Sequence, residues 1–188
     1  MNPLIGNIGK LYGVTVLPEG AEEYRRVREL AVAVARALNV QSGYVHCEVM
    51  LDSSGDMYFG EAGYRPGGRE ILALSSKVHN WDPMEVLGCL AMGIRPDISS
   101  RRSYEILAST VPQAPAGRIV AMSGRDELFS IPGVVDVVLK TEVGVVHGGA
   151  HNSADGVAYI FFTPQSLETS NKEIEEIGAA FRVDVEPA

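Results

Sequence analysis

Residues 45–68 read VHCEVMLDSSGDMYFGEAGYRPGG, and this stretch gives the strongest indication of the fold of the first half of the chain. Apolar and polar side chains alternate on both sides of a turn signal, SSGD at residues 53–56, which predicts a β-hairpin. If those four residues form the turn, Asp52 faces Met57. The residue numbers of each facing pair further along the two arms then add up to the same total as those of Asp52 and Met57.

Two carboxylates meet on this hairpin, because the same register places Glu48 directly opposite Glu61. Facing residues of an antiparallel pair have Cβ atoms only about 4.5–5.5 Å apart, so like charges there destabilise the hairpin unless something neutralises them. A divalent cation would do so, and Mg²⁺ prefers carboxylate, phosphate and water oxygens. Two alternatives stay open: one glutamate is protonated, or a shifted register sends the side chains to opposite faces.

The composition is that of an ordinary globular protein. The chain has 188 residues, 46% hydrophobic and 21% charged, which is enough to bury a core in one domain or a domain with a small appendage. Its formal net charge of −8 argues against nucleic acid or an anionic membrane as a partner. A leader pattern and a long apolar run are absent, and Cys47 and Cys89 lack metal-site spacing. We therefore expect a cytoplasmic protein with reduced cysteines.

Hydrophobic periodicity predicts further elements around the hairpin. Asp82 as N-cap, Pro83 at the first helical position and Gly93 just past the end are strong signals for one helix. The apolar face of the first hairpin arm should pack on the helix that precedes it. The expected elements are a strand at 11–17, a helix after Pro18, and helices at 70–78 and 82–92.

A polar segment at residues 95–103 predicts a boundary between a domain at 1–95 and a domain at 104–188. From Arg118 onward the predicted order is β-α-β-β-α-β, the split βαβ pattern of a small two-layer sandwich. The fold class is therefore α+β, with an antiparallel sheet and flanking helices followed by that sandwich. The expected strands are 104–110, 118–122, 134–141, 157–162 and 182–185, with helices at 125–130 and before the last strand.

The hairpin and the loop after it resemble a known family. HCE at residues 46–48 followed by EAGYRPGG at 61–68 is similar to the C-terminal lobe of ATP-grasp carboxylate–amine ligases, and L-amino-acid ligases look most similar. The segment from GRIV at 117–120 to IPGVV at 131–135 resembles their extra C-terminal subdomain. The resemblance covers most of the chain and implies the C-terminal half of an ATP-grasp fold.

The resemblance also implies two cofactors, Mg²⁺ and ATP, and the residues that hold them. Glu48 and Glu61 correspond to the acidic positions that bind Mg²⁺ on ATP. Arg65 corresponds to the arginine that steadies a phosphate or carboxylate, which makes it an oxyanion clamp. Gly67 and Gly68 would allow close approach of the backbone to the nucleotide.

Other side chains have both a functional and an ordinary structural interpretation. His46, on the glutamate face, either orients a carboxylate or substrate or is simply packed with one hydrogen bond. The glycines between His147 and His151 argue against a helical metal pair and predict a flexible hairpin loop. The remaining candidates are an arginine for an anionic substrate and two aromatic pocket walls: Arg69, Trp81 and Tyr64.

The sequence departs from the family pattern in two ways. Gly63 stands where many ATP-grasp enzymes carry an asparagine that shares a second Mg²⁺, so one metal would be weakly held or absent. Family members also place a whole domain and a nucleotide-clamping lobe before the point where this sequence begins. The resemblance therefore describes a truncated protein, in which ATP binding is lost if it requires that lobe.

Three functions are consistent with these features. The first is a ligase lobe that joins a small carboxylic acid or amino acid to an amine through an acyl phosphate, once a complementary N-terminal polypeptide completes it. The second is a repurposed, ATP-independent enzyme of small-molecule biosynthesis that uses the remaining cleft near Arg65. The third is a binding or assembly protein, such as a homodimer, whose interface is the surface that the missing lobe leaves bare.

Overall fold

The computed structural model describes residues 10–98, 102–151 and 155–188. The chain divides into two compact units. The hairpin unit is Leu17–Glu105, and the sheet unit combines the N-terminal residues through Val16 with Ile106–Ala188. In chain order the elements are β1 (Tyr12–Val16), α1 (Glu22–Ala37), β2 (His46–Leu51), β3 (Met57–Gly63), α2 (Glu70–His79), α3 (Pro83–Ala91), β4 (Leu107–Val111), β5 (Ala116–Met122), α4 (Arg125–Phe129), β6 (Val134–Leu139), β7 (Val146–Gly148), β8 (Ala158–Phe162), α5 (Ser170–Ala180) and β9 (Val183–Glu186).

The described part of the hairpin unit contains the predicted hairpin, formed by β2 and β3, and the helices α1, α2 and α3. The helix α1 is tied to the hairpin turn, because Arg26 Nη2 donates a hydrogen bond of 2.8 Å to the carbonyl oxygen of Gly55. Burial in this unit is shallow. No residue of α1 is fully buried, and the buried apolar side chains of the described part of the unit are Leu74, Val78 and Val86.

Local sequence signals fix the ends of α3 as predicted. The Asp82 carboxylate accepts hydrogen bonds from the backbone N–H groups of Met84 at 2.7 Å and Glu85 at 3.4 Å, which satisfies two donors of the first turn. Pro83 occupies the first helical position, where its missing N–H costs nothing. Gly93 follows the helix with φ of 70°, a conformation that glycine adopts without strain.

The hairpin turn is shorter than the four-residue turn that the sequence predicts. Leu51 pairs with Met57, and the Asp52 N–H donates to the Asp56 carbonyl oxygen at 3.0 Å. The expectation that Asp52 faces Met57 is therefore wrong by one residue. Gly55 explains the difference, because its φ of 82° is the left-handed conformation that closes a three-residue hairpin loop.

The Asp52 carboxylate organises this turn, which predicts a pH dependence. It accepts hydrogen bonds from the Ser54 hydroxyl at 2.7 Å and from the N–H groups of Ser54 and Asp56, each at 2.9 Å. These bonds, that of the Ser54 side chain first, lower the pKa of Asp52 from its usual value of 3.8. Because the folded pKa is the lower one, the contribution of Asp52 to stability is present above the unfolded pKa and is lost as pH falls through the folded pKa.

A carbon-detected NMR titration of the Asp52 carboxyl group measures this shift. We expect a midpoint below the ordinary range in the wild type and a midpoint closer to that range in Ser54→Ala. Ser53→Ala is the matched control, since the structure gives the Ser53 hydroxyl no hydrogen-bond partner among the described residues. Equal midpoints in the wild type and Ser54→Ala would show that this hydrogen bond does not set the pKa.

The sheet unit contains two antiparallel sheets, one in the order β1-β4-β8-β6 and one in the order β7-β5-β9. β4 and β5 follow one another along the chain and are separated only by residues 112–115, PQAP. β4 pairs with β8, whereas β5 pairs with β9. The two prolines explain the break, because each lacks the N–H that a ladder hydrogen bond needs.

The core of the sheet unit lies between the four-stranded sheet and the helices α4 and α5. The strand β8 reads AYIFF and is almost entirely buried, as expected of a central strand. Gly178 of α5 permits close packing, since a Cβ there would lie 2.5 Å from the Leu11 side chain and 2.6 Å from the Thr110 hydroxyl. Helix and sheet can therefore approach closely at this point.

The α+β class with antiparallel sheets and flanking helices is confirmed, and two details of the organisation differ from expectation. β1, which was assigned to the first domain at 1–95, pairs with β4 and so lies in the sheet unit. The segment with His147, expected to be a flexible loop, contains β7, in which His147 pairs with Gly117. Periodicity along one segment cannot reveal either feature, because strand partners are distant in sequence.

Within the residues that the structure describes, no helix is long and apolar enough to cross a membrane.

Candidate functional site

Glu48 of β2 and Glu61 of β3 are direct cross-strand partners. Near the turn the register runs through Leu51 opposite Met57, and it shifts by one residue between Glu48 and Val49. Gly60 is the extra residue of this β-bulge, and the shift compensates for the short turn. The two glutamates therefore face each other as predicted, although the turn is shorter than predicted and a bulge restores the register. A glycine inside a strand was the sequence signal for the bulge.

Each of the two carboxylates has a basic neighbour. Glu48 Oε1 lies 3.2 Å from His46 Nε2, and Glu61 Oε1 lies 3.6 Å from Arg65 Nη2. The glutamate side chains are 57% and 61% exposed, whereas His46 is 17% exposed. The Arg65 guanidinium thus partly offsets the repulsion between the carboxylates, the His46 imidazole lies within hydrogen-bond distance of Glu48, and both carboxylates stay accessible to a ligand. The alternative that a shifted register separates them is excluded.

The loop after β3 packs against this face at Gly67. A Cβ at that position would lie 2.7 Å from Ile71 Cγ2 and 3.4 Å from His46 Nδ1, so only glycine fits without movement. Gly68 is different, because a Cβ there would meet no atom within 4 Å. The first glycine is therefore required for packing, and the second leaves open space above its backbone.

The donor set fits a hard cation such as Mg²⁺. Glu48 and Glu61 offer only oxygen atoms, from neighbouring strands and on one face. In the described ranges no group of three or more His, Cys, Asp or Glu side chains could hold a metal ion, so a metal at this face would take two carboxylate ligands from the described residues. Gly63 adds none, and a Cβ there would lie 3.2 Å from Arg65 Nε. A shell of two carboxylates completed by phosphate and water is typical of Mg²⁺.

The weaker candidates near the loop have local partners. Arg69 Nε lies 3.8 Å from Oε2 of the buried Glu70, at the start of α2. The Tyr64 hydroxyl donates a hydrogen bond to the Ser42 carbonyl oxygen. Trp81 belongs to a different surface, described below. These contacts favour the structural interpretation for Arg69 and Tyr64.

His147 and His151 lie in the sheet unit and bond to nearby backbone. His147 Nδ1 accepts a hydrogen bond from the Gly149 N–H at 3.0 Å, so its Nε2 carries the proton that points at the Asp155 carbonyl oxygen, 3.2 Å away. His151 Nε2 lies 2.8 Å from the Gly148 carbonyl oxygen. The two imidazoles stabilise the turn after β7, and in the described ranges they join no metal-binding group.

Comparison with known proteins identifies a related family. Residues 111–186 match the L-amino acid ligase C-terminal domain 2, which confirms the resemblance of the tail. No curated protein sequence matches the chain.

Three solved structures share the fold of nearly the whole chain. L-amino acid ligase from Bacillus licheniformis superimposes with a TM-score of 0.71 at 18% identity, over 93% of this chain and 44% of that one. N5-carboxyaminoimidazole ribonucleotide synthetase from Thermotoga maritima gives 0.65 at 16%, over 96% and 54%. The biotin carboxylase domain dimer of 2-oxoglutarate carboxylase from Hydrogenobacter thermophilus, a complex with MgADP, ADP and bicarbonate, gives 0.66 at 14%, over 93% and 39%. The chain thus spans about half the length of these proteins.

Proposed function

We propose that this chain, which has the fold of the C-terminal part of the ATP-grasp carboxylate–amine ligases and matches their L-amino acid ligase domain over residues 111–186, supplies the metal and oxyanion side of a ligase site. The proposed reaction joins a small carboxylic acid or amino acid to an amine through an acyl phosphate. The observation that supports it best is the facing pair of accessible carboxylates, Glu48 and Glu61, with Arg65 beside them.

In the proposed site, Glu48 and Glu61 would hold Mg²⁺. When bound, the metal neutralises phosphate charge. His46 would orient Glu48 through their 3.2 Å contact, because a hydrogen bond to a ligating carboxylate fixes its position. The open space beside Gly68 leaves its backbone free to approach a phosphate.

The proposed chemistry has two steps, and Arg65 takes part in both. A substrate carboxylate oxygen attacks the terminal phosphorus of ATP, the bond to ADP breaks, and an acyl phosphate forms. The amine nitrogen then attacks the acyl carbon, the carbon–oxygen bond to phosphate breaks, and the amine proton passes to solvent. The guanidinium of Arg65, 3.6 Å from Glu61 and half exposed, stabilises the negative oxygen in each transition state.

Exposed apolar side chains on the hairpin support the proposal that further polypeptide covers it. Met50, Leu51, Tyr58 and Phe59 are between 43% and 62% exposed, and a two-stranded sheet alone is only marginally stable. We propose a second copy or a complementary chain as the cover. The same observation supports the third of the functions considered above, a binding or assembly protein. The two free cysteines, Cys47 and Cys89, suit a reducing cytoplasm.

The ligase proposal is tested by trapping the acyl phosphate with hydroxylamine. We expect the chain, with any polypeptide that copurifies, to form hydroxamate from an amino acid while releasing ADP from MgATP. Arg65→Ala should lower kcat by at least about 100-fold, since removal of one oxyanion donor typically costs that much. Arg95→Ala, a change at another exposed arginine of the same unit, is the control and should leave kcat unchanged.

The other outcomes of this assay separate the alternatives. Hydroxamate formed without ATP or Mg²⁺ would support the ATP-independent enzyme and contradict the ligase. No product under any condition, together with a stable complex with a partner polypeptide, would support the assembly protein.

A further inference from the structure

A second concave surface in the hairpin unit lies between α1 and the segment that follows α2. It is open to solvent and has a volume of about 750 Å³, which is in the range of small-molecule sites. Glu48, Glu61 and Arg65, which form the proposed metal and oxyanion site, do not line it. Six of its lining residues carry the argument: Glu19, Arg25, Arg28, Glu29, His79 and Trp81.

The cavity carries two positive and two negative side chains. Arg25 and Arg28 are three residues apart on α1, so they lie on the same side of the helix. Neither guanidinium has a hydrogen bond or ion pair with any described residue, and the same holds for the carboxylates of Glu19 and Glu29. Four charges are therefore available to a ligand instead of neutralising one another.

His79 adds no further positive charge to the cavity near neutral pH. Its burial, and then the nearby Arg102, lower the pKa of His79 from 6.5, while Glu19 acts in the opposite direction. The imidazole is therefore mostly neutral at pH 7. The fixed positive charges of the cavity remain those of the two arginines.

Trp81 forms a rigid apolar wall of the cavity. Its Nε1 donates a hydrogen bond of 3.1 Å to the Ser75 carbonyl oxygen, and the Ser76 hydroxyl donates one of 2.6 Å to the Trp81 carbonyl oxygen. The indole also stacks on Tyr44, with ring centroids 5.9 Å apart and an interplanar angle of 28°. A side chain held in this way presents a preformed surface to an apolar group.

From these three observations we propose that the cavity binds a small zwitterion with an apolar body, of which an apolar α-amino acid is the simplest. The carboxylate pairs with Arg25 and Arg28, the ammonium group with Glu19 and Glu29, and the apolar body packs on Trp81. An anion without the ammonium group offers no partner to the two glutamates. A cation without the carboxylate offers no partner to the two arginines. The cavity thereby discriminates against both.

The fluorescence of Trp81 reports on this site directly, because the chain has one tryptophan. Titration with L-leucine should change the emission saturably. 4-Methylpentanoate and 3-methylbutylamine, which lack the ammonium group and the carboxylate respectively, should bind at least about tenfold more weakly, since each loses one of the two charged groups that pair with the cavity. An absence of any change up to the solubility of leucine, or equal binding of 4-methylpentanoate, would overturn the proposal.

Variants test the assignment of the charges. Arg25→Gln with Arg28→Gln should weaken leucine binding at least about tenfold, whereas Arg36→Gln, at the far end of α1, should not. Glu19→Gln with Glu29→Gln should weaken leucine binding but not the binding of 4-methylpentanoate. These side chains are exposed, so unchanged thermal unfolding is expected and is measured alongside. Glu61→Gln should bind leucine normally, so failure of the metal site and failure of this site are distinguishable.

Discussion

Replacement of Glu48 and Glu61 together by glutamine should reduce the affinity of the chain for MgADP by at least about 100-fold, or about 2.8 kcal/mol at 1.4 kcal/mol per tenfold. Glutamine keeps the size of each side chain but removes the negative charge that a hard cation requires. Stability should not fall in the absence of metal, because facing like charges on a hairpin are unfavourable. Calorimetry at saturating Mg²⁺ gives the affinity, and thermal unfolding gives the stability.

A matched control for this experiment is Glu22→Gln with Glu23→Gln. It makes the same change in net charge at two exposed residues in the first turn of α1. Its affinity for MgADP should equal that of the wild type. Equal affinity in the Glu48/Glu61 double variant, or no binding by the wild-type chain, would contradict the proposed metal site.

Phe162→Ala should lower the free energy of unfolding by about 3–5 kcal/mol, the usual cost of removing a buried phenylalanine. Phe162 is fully buried on β8, between β4 and β6, and pairs with Ala108 and Val134. Residues on both sides of it belong to the same core cluster, so the cavity cannot collapse easily. Urea unfolding followed by circular dichroism measures the change. Because a domain is stable by only about 5–15 kcal/mol, the variant should lose a large share of its stability.

Phe129→Ala serves as the comparison for Phe162→Ala. Phe129 ends α4, is 42% exposed, and has the Arg125 guanidinium 5.5 Å from its ring centroid. Loss of that cation–π contact should cost no more than about 1 kcal/mol at an exposed site. Similar losses in the two variants would mean that β8 is not the centre of the core.

Local signals in the sequence predicted the hairpin unit well. The Asp82 cap, Pro83 and Gly93 act within one helical turn, so they are visible without tertiary information. The facing of Glu48 and Glu61 was also predicted, but two errors cancelled. The turn has one residue fewer than expected and the bulge at Gly60 restores the register.

Long-range features were beyond the reach of local patterns. The pairing of β1 with β4 joins segments that are almost 100 residues apart along the chain, and nothing within either strand specifies the other. The cavity beside Trp81 also depends on α1 coming close to the residues after α2. The contacts of Arg65 with Glu61 and of His46 with Glu48, in contrast, follow from their positions on or next to the hairpin.

Mn²⁺ can locate the proposed metal site, because it prefers the same oxygen ligands as Mg²⁺ and broadens nearby NMR signals. In the presence of ADP, the amide signals of residues 47–49 and 60–62 should lose intensity first, because they flank the two glutamates. Broadening centred on the acidic turn at Asp52 and Asp56, or spread evenly over the chain, would contradict the metal site.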